Sequence, residues 1–227
     1  MTSVTFLGQS SFLIKTKGKT LLFDPMFSFD KAGADIQINA LRPDYVLISH
    51  GHADHMADAE AVCRQSEAHI ISSFEVVSWF GNKGLKGHPM NIGGKYSFEF
   101  GLLKYVAAVH SSVLPDGPYG GPAGGFVVSN EDVTFYFAGD TALTWDMKLL
   151  PLTCPKLDFA ILPIGDNFTM GYEDAVLAAD FIACDLIIGC HFDTFDLIKI
   201  DHQKASESFE KAGKRLIPPE IGKTFSI

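Results

Sequence analysis

The 227-residue chain is poor in several features that would mark it for a particular class. Its four cysteines, Cys63, Cys154, Cys184 and Cys190, form no Cys-x-x-Cys pair, and two of them sit in apolar runs. Buried free thiols in a reducing compartment are the expectation. Positive charge is scarce: 18 Lys and Arg stand against 27 Asp and Glu, giving a formal net charge of −9 at pH 7. No basic cluster interrupts that balance, which argues against nucleic acid as a partner, because phosphate contacts need concentrated positive charge. No stretch approaches the ~20 apolar residues of a membrane span. A strand-like run, Val4-Thr5-Phe6-Leu7, begins almost at once and leaves no room for a signal peptide. A soluble cytoplasmic protein with no membrane partner is therefore expected.

Apolar material is plentiful. Hydrophobic residues make up 47% of the chain and 19 residues are Phe, enough for a sizeable packed core. The opening reads as a hairpin and a third strand: Val4–Leu7, Ser11–Thr16 and Thr20–Phe23, ending at Asp24-Pro25. Residues 26–40 read as a loop with a short helix, and 45–48 as a strand. Helices are expected over 56–66 and 73–82, with Ile70-Ile71 a short strand between them. A second hairpin covers 96–100 and 102–109. The C-terminal third alternates strand 159–163, helix 172–183, strand 186–190 and helix 203–213. No linker interrupts this order, so residues 1–227 read as a single α/β domain with helices outside.

An internal repeat adds detail. Ser11-Phe12-Leu13-Ile14 and Thr20-Leu21-Leu22-Phe23 have partners in Gly125-Phe126-Val127-Val128 and Thr134-Phe135-Tyr136-Phe137. Two similar β-rich halves packed face to face would follow, with functional residues at the seam.

The stretch around which the chain is organised is Ser49-His50-Gly51-His52-Ala53-Asp54-His55, directly after the apolar run Tyr45–Ile48. Glycine at 51 permits a sharp turn. Three imidazoles and a carboxylate in six residues are costly to dehydrate without a metal or a dense hydrogen-bond network. Further candidate ligands each end an apolar strand: His110 after 102–109, Asp140 after 133–138, and His191 after 186–190. Five histidines and two aspartates divide between two metals with one carboxylate bridging, an arrangement that activates water and clamps attacking and leaving oxygens.

The series His-x-His-x-Asp-His, then spaced His, Gly-Asp and His, resembles the metallo-β-lactamase superfamily. Gly-Gln-Ser-Ser-Phe, Leu-Phe-Asp-Pro, Ala-Gly-Asp-Thr-Ala and Leu-Pro-Ile-Gly-Asp-Asn-Phe-Thr-Met-Gly are similar to a branch of uncharacterised metal-dependent hydrolases near the ascorbate-6-phosphate lactonases. The similarity runs from Val4 to about Phe195. It implies a four-layer αβ/βα sandwich of two mixed sheets with helices outside. It also implies His50, His52 and His110 on one metal, Asp54, His55 and His191 on the other, and Asp140 bridging. Zinc is the first expectation, with manganese or iron also accommodated. A metal-bound hydroxide oriented by Asp54, the one residue read as catalytic, would attack a small ester, lactone or phosphoester. A small-molecule substrate is thus expected, with an anionic one left open because a metal pair adds local positive charge. The apolar content is also compatible with a homo-oligomer.

Weaker candidates carry two readings each. Asp24 either accepts a hydrogen bond from a ligand histidine or simply forms an Asp-Pro turn. Asp166-Asn167-Phe168-Thr169 either touches substrate or caps the next helix. The 115–124 segment is a substrate lid or a surface connection. Ser10, Ser11, Ser111 and Ser112 read as turn and supporting residues. His69, His88 and His202 read as ordinary, and Cys190 as a small core residue rather than an extra ligand. Two rival functions remain: a di-iron redox protein, against which His52 stands where such relatives carry glutamate, and a non-catalytic ligand sensor, against which all seven ligands are present.

Overall fold

The computed structural model describes residues 1–28, 36 and 38–227 of the chain. The loop and short helix expected over 26–40 fall mostly outside these residues. Their described part carries a 3-10 turn at Ile38–Ala40.

Fourteen strands order the described chain. In the N-terminal half they are β1 (Ser3–Gly8), β2 (Ser11–Thr16), β3 (Lys19–Phe23), β4 (Tyr45–Leu47), β5 (His69–Ser73) and β6 (Gly87–Met90). Then come β7 (Lys95–Phe98), β8 (Gly101–Ala107), β9 (Gly124–Ser129), β10 (Thr134–Phe137), β11 (Phe159–Pro163), β12 (Leu186–Cys190), β13 (Arg215–Ile217) and β14 (Thr224–Ser226). They form two seven-stranded sheets, in the orders β14-β1-β2-β3-β4-β5-β6 and β13-β12-β11-β10-β9-β8-β7. Each sheet is antiparallel up to β3 or β10 and parallel beyond it.

The internal repeat holds to the level of register. Phe12 pairs with Phe23 across β2 and β3, and Phe126 with Phe137 across β9 and β10. Leu21 then meets Tyr45 in parallel, as Phe135 meets Phe159. The two sheets pack through these aromatics. Phe23 is fully buried, 4.9 Å from Phe137, 5.8 Å from Phe135 and 6.2 Å from Phe126 between ring centroids. Tilted and edge-on geometries of this kind suit the ring quadrupole and add to area burial.

Helices cover the outer faces. Helices α1 (Ala53–Met56), α2 (Ala59–Ser66) and α3 (Phe74–Gly81) lie on the first sheet, where Met56, Val62, Val76 and Phe80 pack against Leu22, Val46, Ile48 and Ile70. Helices α4 (Leu150–Thr153), α5 (Tyr172–Phe181) and α6 (His202–Lys211) lie on the second, with Ala175, Ala178, Ala179 and Phe209 against Ala160, Leu162 and Ile187. Small alanines let α5 approach the sheet closely. The result is the expected four-layer α/β sandwich of two mixed sheets.

Some details depart from expectation. The helix expected over 56–66 is broken between α1 and α2, because Asp58 turns its carboxylate away from the helix. That carboxylate accepts the Phe27 and Ser28 backbone N–H groups at 2.7 and 2.9 Å. Helix α3 begins as expected, with Ser73 Oγ accepting from Val76 N–H. Strands β6, β13 and β14 carry no sequence signal, being three or four residues long at sheet edges. No helix among the described residues is long and apolar enough to cross a membrane.

Candidate metal centre

All seven candidate ligands emerge at one end of the sandwich, just beyond strands β4, β8, β10 and β12. Parallel strands run their C-terminal ends to one edge, so side chains far apart in sequence are delivered together. Hydrogen bonds tie the sheets there, among them His191 N–H to the Gln9 carbonyl at 2.8 Å, Gly124 N–H to the Ser49 carbonyl at 3.2 Å and the Tyr105 hydroxyl to the same Ser49 carbonyl at 2.9 Å.

The ligand atoms gather in two groups, His50 with His52 and His110, and Asp54 with His55, Asp140 and His191, each within 4.8 Å internally. Asp140 Oδ2 lies 3.2 Å from His55 Nε2, 3.1 Å from His191 Nε2 and 3.5 Å from His110 Nε2. It therefore touches both groups. Asp54 Oδ2 lies 3.4 Å from His55 Nε2 and 3.5 Å from His191 Nε2.

The backbone around the centre is shaped by close approach. A Cβ at Gly139, which has φ +63°, would meet Ser49 Cβ at 2.6 Å, so only glycine brings Asp140 this near the first sheet. At Gly51 the need differs from the sharp turn expected. Its φ is not positive, and a Cβ there would instead press on the Val113 carbonyl oxygen at 3.1 Å.

Hydrogen bonding fixes which ring nitrogens face inward. Asp24, fully buried and left-handed at φ +40°, accepts Ser49 N–H at 2.7 Å, Ser49 O–H at 2.6 Å and His55 Nδ1–H at 2.7 Å. Both readings of Asp24 thus hold: it turns the chain and it anchors a candidate ligand. Ser49 has given its only proton to Asp24, so the His50 ring donates Nδ1–H to Ser49 Oγ across 2.9 Å. The Nε2 atoms of His50 and His55 are left facing the centre. Gln9, at φ +48°, donates Nε2–H to Asp54 Oδ2 at 3.0 Å. Ser112 Oγ accepts Gly51 N–H at 3.0 Å, and Ser11 Oγ links the Asp24 and Met26 backbones.

Charge is distributed unevenly. Burial pushes His50 well below the ordinary imidazole value, and the neighbouring His55 adds to this. Burial also lowers His52 and His110, although Asp54 and Asp140 respectively oppose it. For His191 burial acts downward, but the Asp140 and Asp54 carboxylates overcome it and push the ring up to about 9. Burial would raise Asp140 and Asp54, yet facing His55 and His191 hold both below the ordinary carboxylate range.

This donor set fits divalent cations. Imidazole and carboxylate are their usual ligands, and the atoms converge with little else to bond. His55 Nε2 and Asp140 Oδ1 are buried with no hydrogen-bond partner among the described residues. Buried polar atoms without a partner, set among converging ligand-type side chains, are what a coordination site offers a cation.

The centre opens into a cavity of about 620 Å³, floored by His52, Asp54, His110, Asp140 and His191 and also lined by Ala53, Ser111, Phe168, Phe195 and Leu197. Phe168 lines it, whereas Thr169 does not cap the next helix: its hydroxyl donates to the Met170 carbonyl, and α5 has no side-chain cap. Residues 115–124 do not line the cavity. That segment folds on itself through a Val113–Tyr119 bridge and fastens to α3, where Trp79 Nε1–H donates to Asp116 Oδ1 at 2.9 Å. Cys190 is buried in the core between the sheets, outside both ligand groups.

His69 and His88 stand apart from the centre, His88 against Tyr96. His202 is less ordinary than its sequence suggests, since it contacts Asp193 Oδ2 at 2.6 Å beside the His191 segment. Phe195, Leu197 and the role of Gln9 have no signature in the sequence. The first two lie in an aperiodic loop, and a lone glutamine carries no spacing signal.

The Beta-lactamase superfamily domain model matches residues 3–191. A UPF0173 metal-dependent hydrolase of Christiangramia forsetii is 49% identical over 225 residues, 99% of each chain. The UPF0173 metal-dependent hydrolase YtkL of Bacillus subtilis is 38% identical over 229 residues, covering 99% of this chain and 96% of its own. Among solved structures, Igni18, a metallo hydrolase from Ignicoccus hospitalis, superposes with a TM-score of 0.89 at 27% identity, both chains being covered completely. The chain belongs to the β-lactamase superfamily and, within it, to the UPF0173 metal-dependent hydrolases.

Proposed function

We propose that the protein is a dinuclear metal-dependent hydrolase of ester, lactone or phosphoester bonds in a small molecule. The observation that supports this most is Asp140 Oδ2, within 3.5 Å of histidine nitrogens from both ligand groups. His50, His52 and His110 would hold one cation, Asp54, His55 and His191 the other, and Asp140 both. Zinc suits these ligands first, and manganese or iron are compatible with them. Two bound divalent cations would supply Lewis acidity, lowering the pKa of water toward ~7 and withdrawing charge from substrate oxygens.

The chain's own residues prepare the rest. Asp54 is the partly exposed carboxylate at the cavity floor, held ionised by His55 and His191 and oriented by Gln9. It accepts a hydrogen bond from the attacking water and sets its direction toward the scissile bond. Asp24 and Ser49 keep His55 and His50 in the tautomers whose Nε2 faces inward, so little reorganisation accompanies reaction.

The test is elemental analysis of protein purified without added metal, paired with hydrolysis of p-nitrophenyl esters, lactones and bis(p-nitrophenyl) phosphate. About two metals per chain are expected, with activity lost in chelator and in Asp54→Ala. A folded protein that takes up no metal after reconstitution would overturn the reading.

A further inference from the structure

The cavity has two unlike sides. Beside the ligand floor the cavity is lined by Phe168, Phe195 and Leu197, exposed by 50%, 41% and 67% respectively. Single exposed apolar residues need no explanation, but three converging on one cavity do.

These side chains are held there by strained backbone. Phe168 rides a tight loop closed by a Gly165–Gly171 bridge, in which Asp166 and Asn167 are both left-handed, at φ +62° and +56°. Met170 N–H donates to the Thr141 carbonyl at 3.0 Å, tying that loop to the residue after Asp140. Phe195 and Leu197 follow His191 and Asp193, also left-handed at φ +55° and +61°. Asp193 N–H donates to the Ile198 carbonyl at 2.9 Å, and its carboxylate binds Ile200 N–H at 3.1 Å and the His202 ring at 2.6 Å. Non-glycine residues persist in such conformations where the surroundings over-determine them, as at ligand clamps. Both strained segments also carry, or are fastened to, a candidate metal ligand.

Charge completes the picture. Among the described residues, no lysine or arginine lines the cavity. A second anionic group on the substrate would be desolvated against phenyl and isobutyl surfaces with no cationic side chain to pair it, which is costly.

We propose that Phe168, Phe195 and Leu197 form the binding site for the apolar acyl chain of a neutral ester or lactone whose carbonyl lies over the ligand floor. This narrows the substrate class and rests on the hydrolase reading above.

The experiment uses the full-length metal-loaded protein and p-nitrophenyl acetate, butanoate and octanoate. kcat/KM rises about tenfold or more from acetate to octanoate, because each added methylene buries apolar surface. In Phe168→Ala and in Phe195→Ala/Leu197→Ala, that octanoate-to-acetate ratio falls toward about one, chiefly through KM for octanoate. Calorimetry supplies a readout that does not depend on turnover: octanamide binds the metal-stripped protein saturably, and both variants weaken it. Equal kcat/KM across chain lengths, a preference for an anionic ester such as the p-nitrophenyl monoester of succinate, or octanamide binding untouched by both variants would overturn the proposal. Absence of any chelator-sensitive hydrolysis would instead count against the hydrolase reading, leaving octanamide binding to decide the apolar site.

Discussion

His55 donates its Nδ1–H to Asp24 Oδ2 across 2.7 Å, and both side chains are wholly excluded from solvent. The pair joins the end of β3 to α1, and Asp24 also takes both donors of Ser49. One carboxylate therefore sets two histidines, His55 directly and His50 through Ser49.

Replacing Asp24 by Asn keeps the volume but turns one acceptor oxygen into a donor, which cannot satisfy Ser49 and His55 together. Asp24→Asn is expected to weaken cation binding at the centre by about 10- to 100-fold, the usual effect of losing a carboxylate behind a ligand histidine. A competition titration against a metallochromic indicator reads this directly. Unchanged affinity in a folded variant would remove Asp24 from the supporting role.

The cysteines give a pH-dependent check on the layers. Burial pushes the Cys63 thiol up to about 12 and Cys184 up to about 11, and it also raises Cys190. Only the thiolate reacts readily, so these three stay protonated and unreactive at pH 8 while the fold holds. Cys154 is partly exposed. Titration with a disulfide reagent at pH 8 should find one fast thiol, lost in Cys154→Ser, and four after denaturation. Raising the pH toward 11 should bring Cys184 into reaction before Cys63.

Phe23 packs on three phenylalanines of the opposite sheet with none of its surface exposed. Truncation to alanine loses the transfer free energy and leaves a cavity that stiff β-strands cannot close. Phe23→Ala is expected to cost about 3–5 kcal/mol, measured by denaturant unfolding of the metal-loaded protein. A loss below about 1 kcal/mol would mean that the sheets repack freely across the seam.

Much of the centre was legible because strand and ligand signals coincide in the sequence. An apolar run that ends in histidine or Gly-Asp places its ligand at a strand end, and parallel strands send such ends to one edge. The repeat of Phe12 and Phe23 as Phe126 and Phe137 announced two similar sheets, since register follows the apolar pattern. The break at Asp58 was not legible, because a carboxylate in a helical pattern does not disclose a partner 31 residues upstream.

By itself, then, the sequence determined the α/β architecture and the seven polar side chains at strand ends. Both follow from local periodicity and residue chemistry, which need no knowledge of neighbours. The tertiary structure decided what surrounds them: Gln9 on Asp54, Ser49 between Asp24 and His50, and the wall of Phe168, Phe195 and Leu197. Apart from Ser49 beside His50, these are contacts between residues remote in sequence, on loops whose left-handed turns and lack of period give no local signal. Only closure of the two sheets onto one another brings them to the same place.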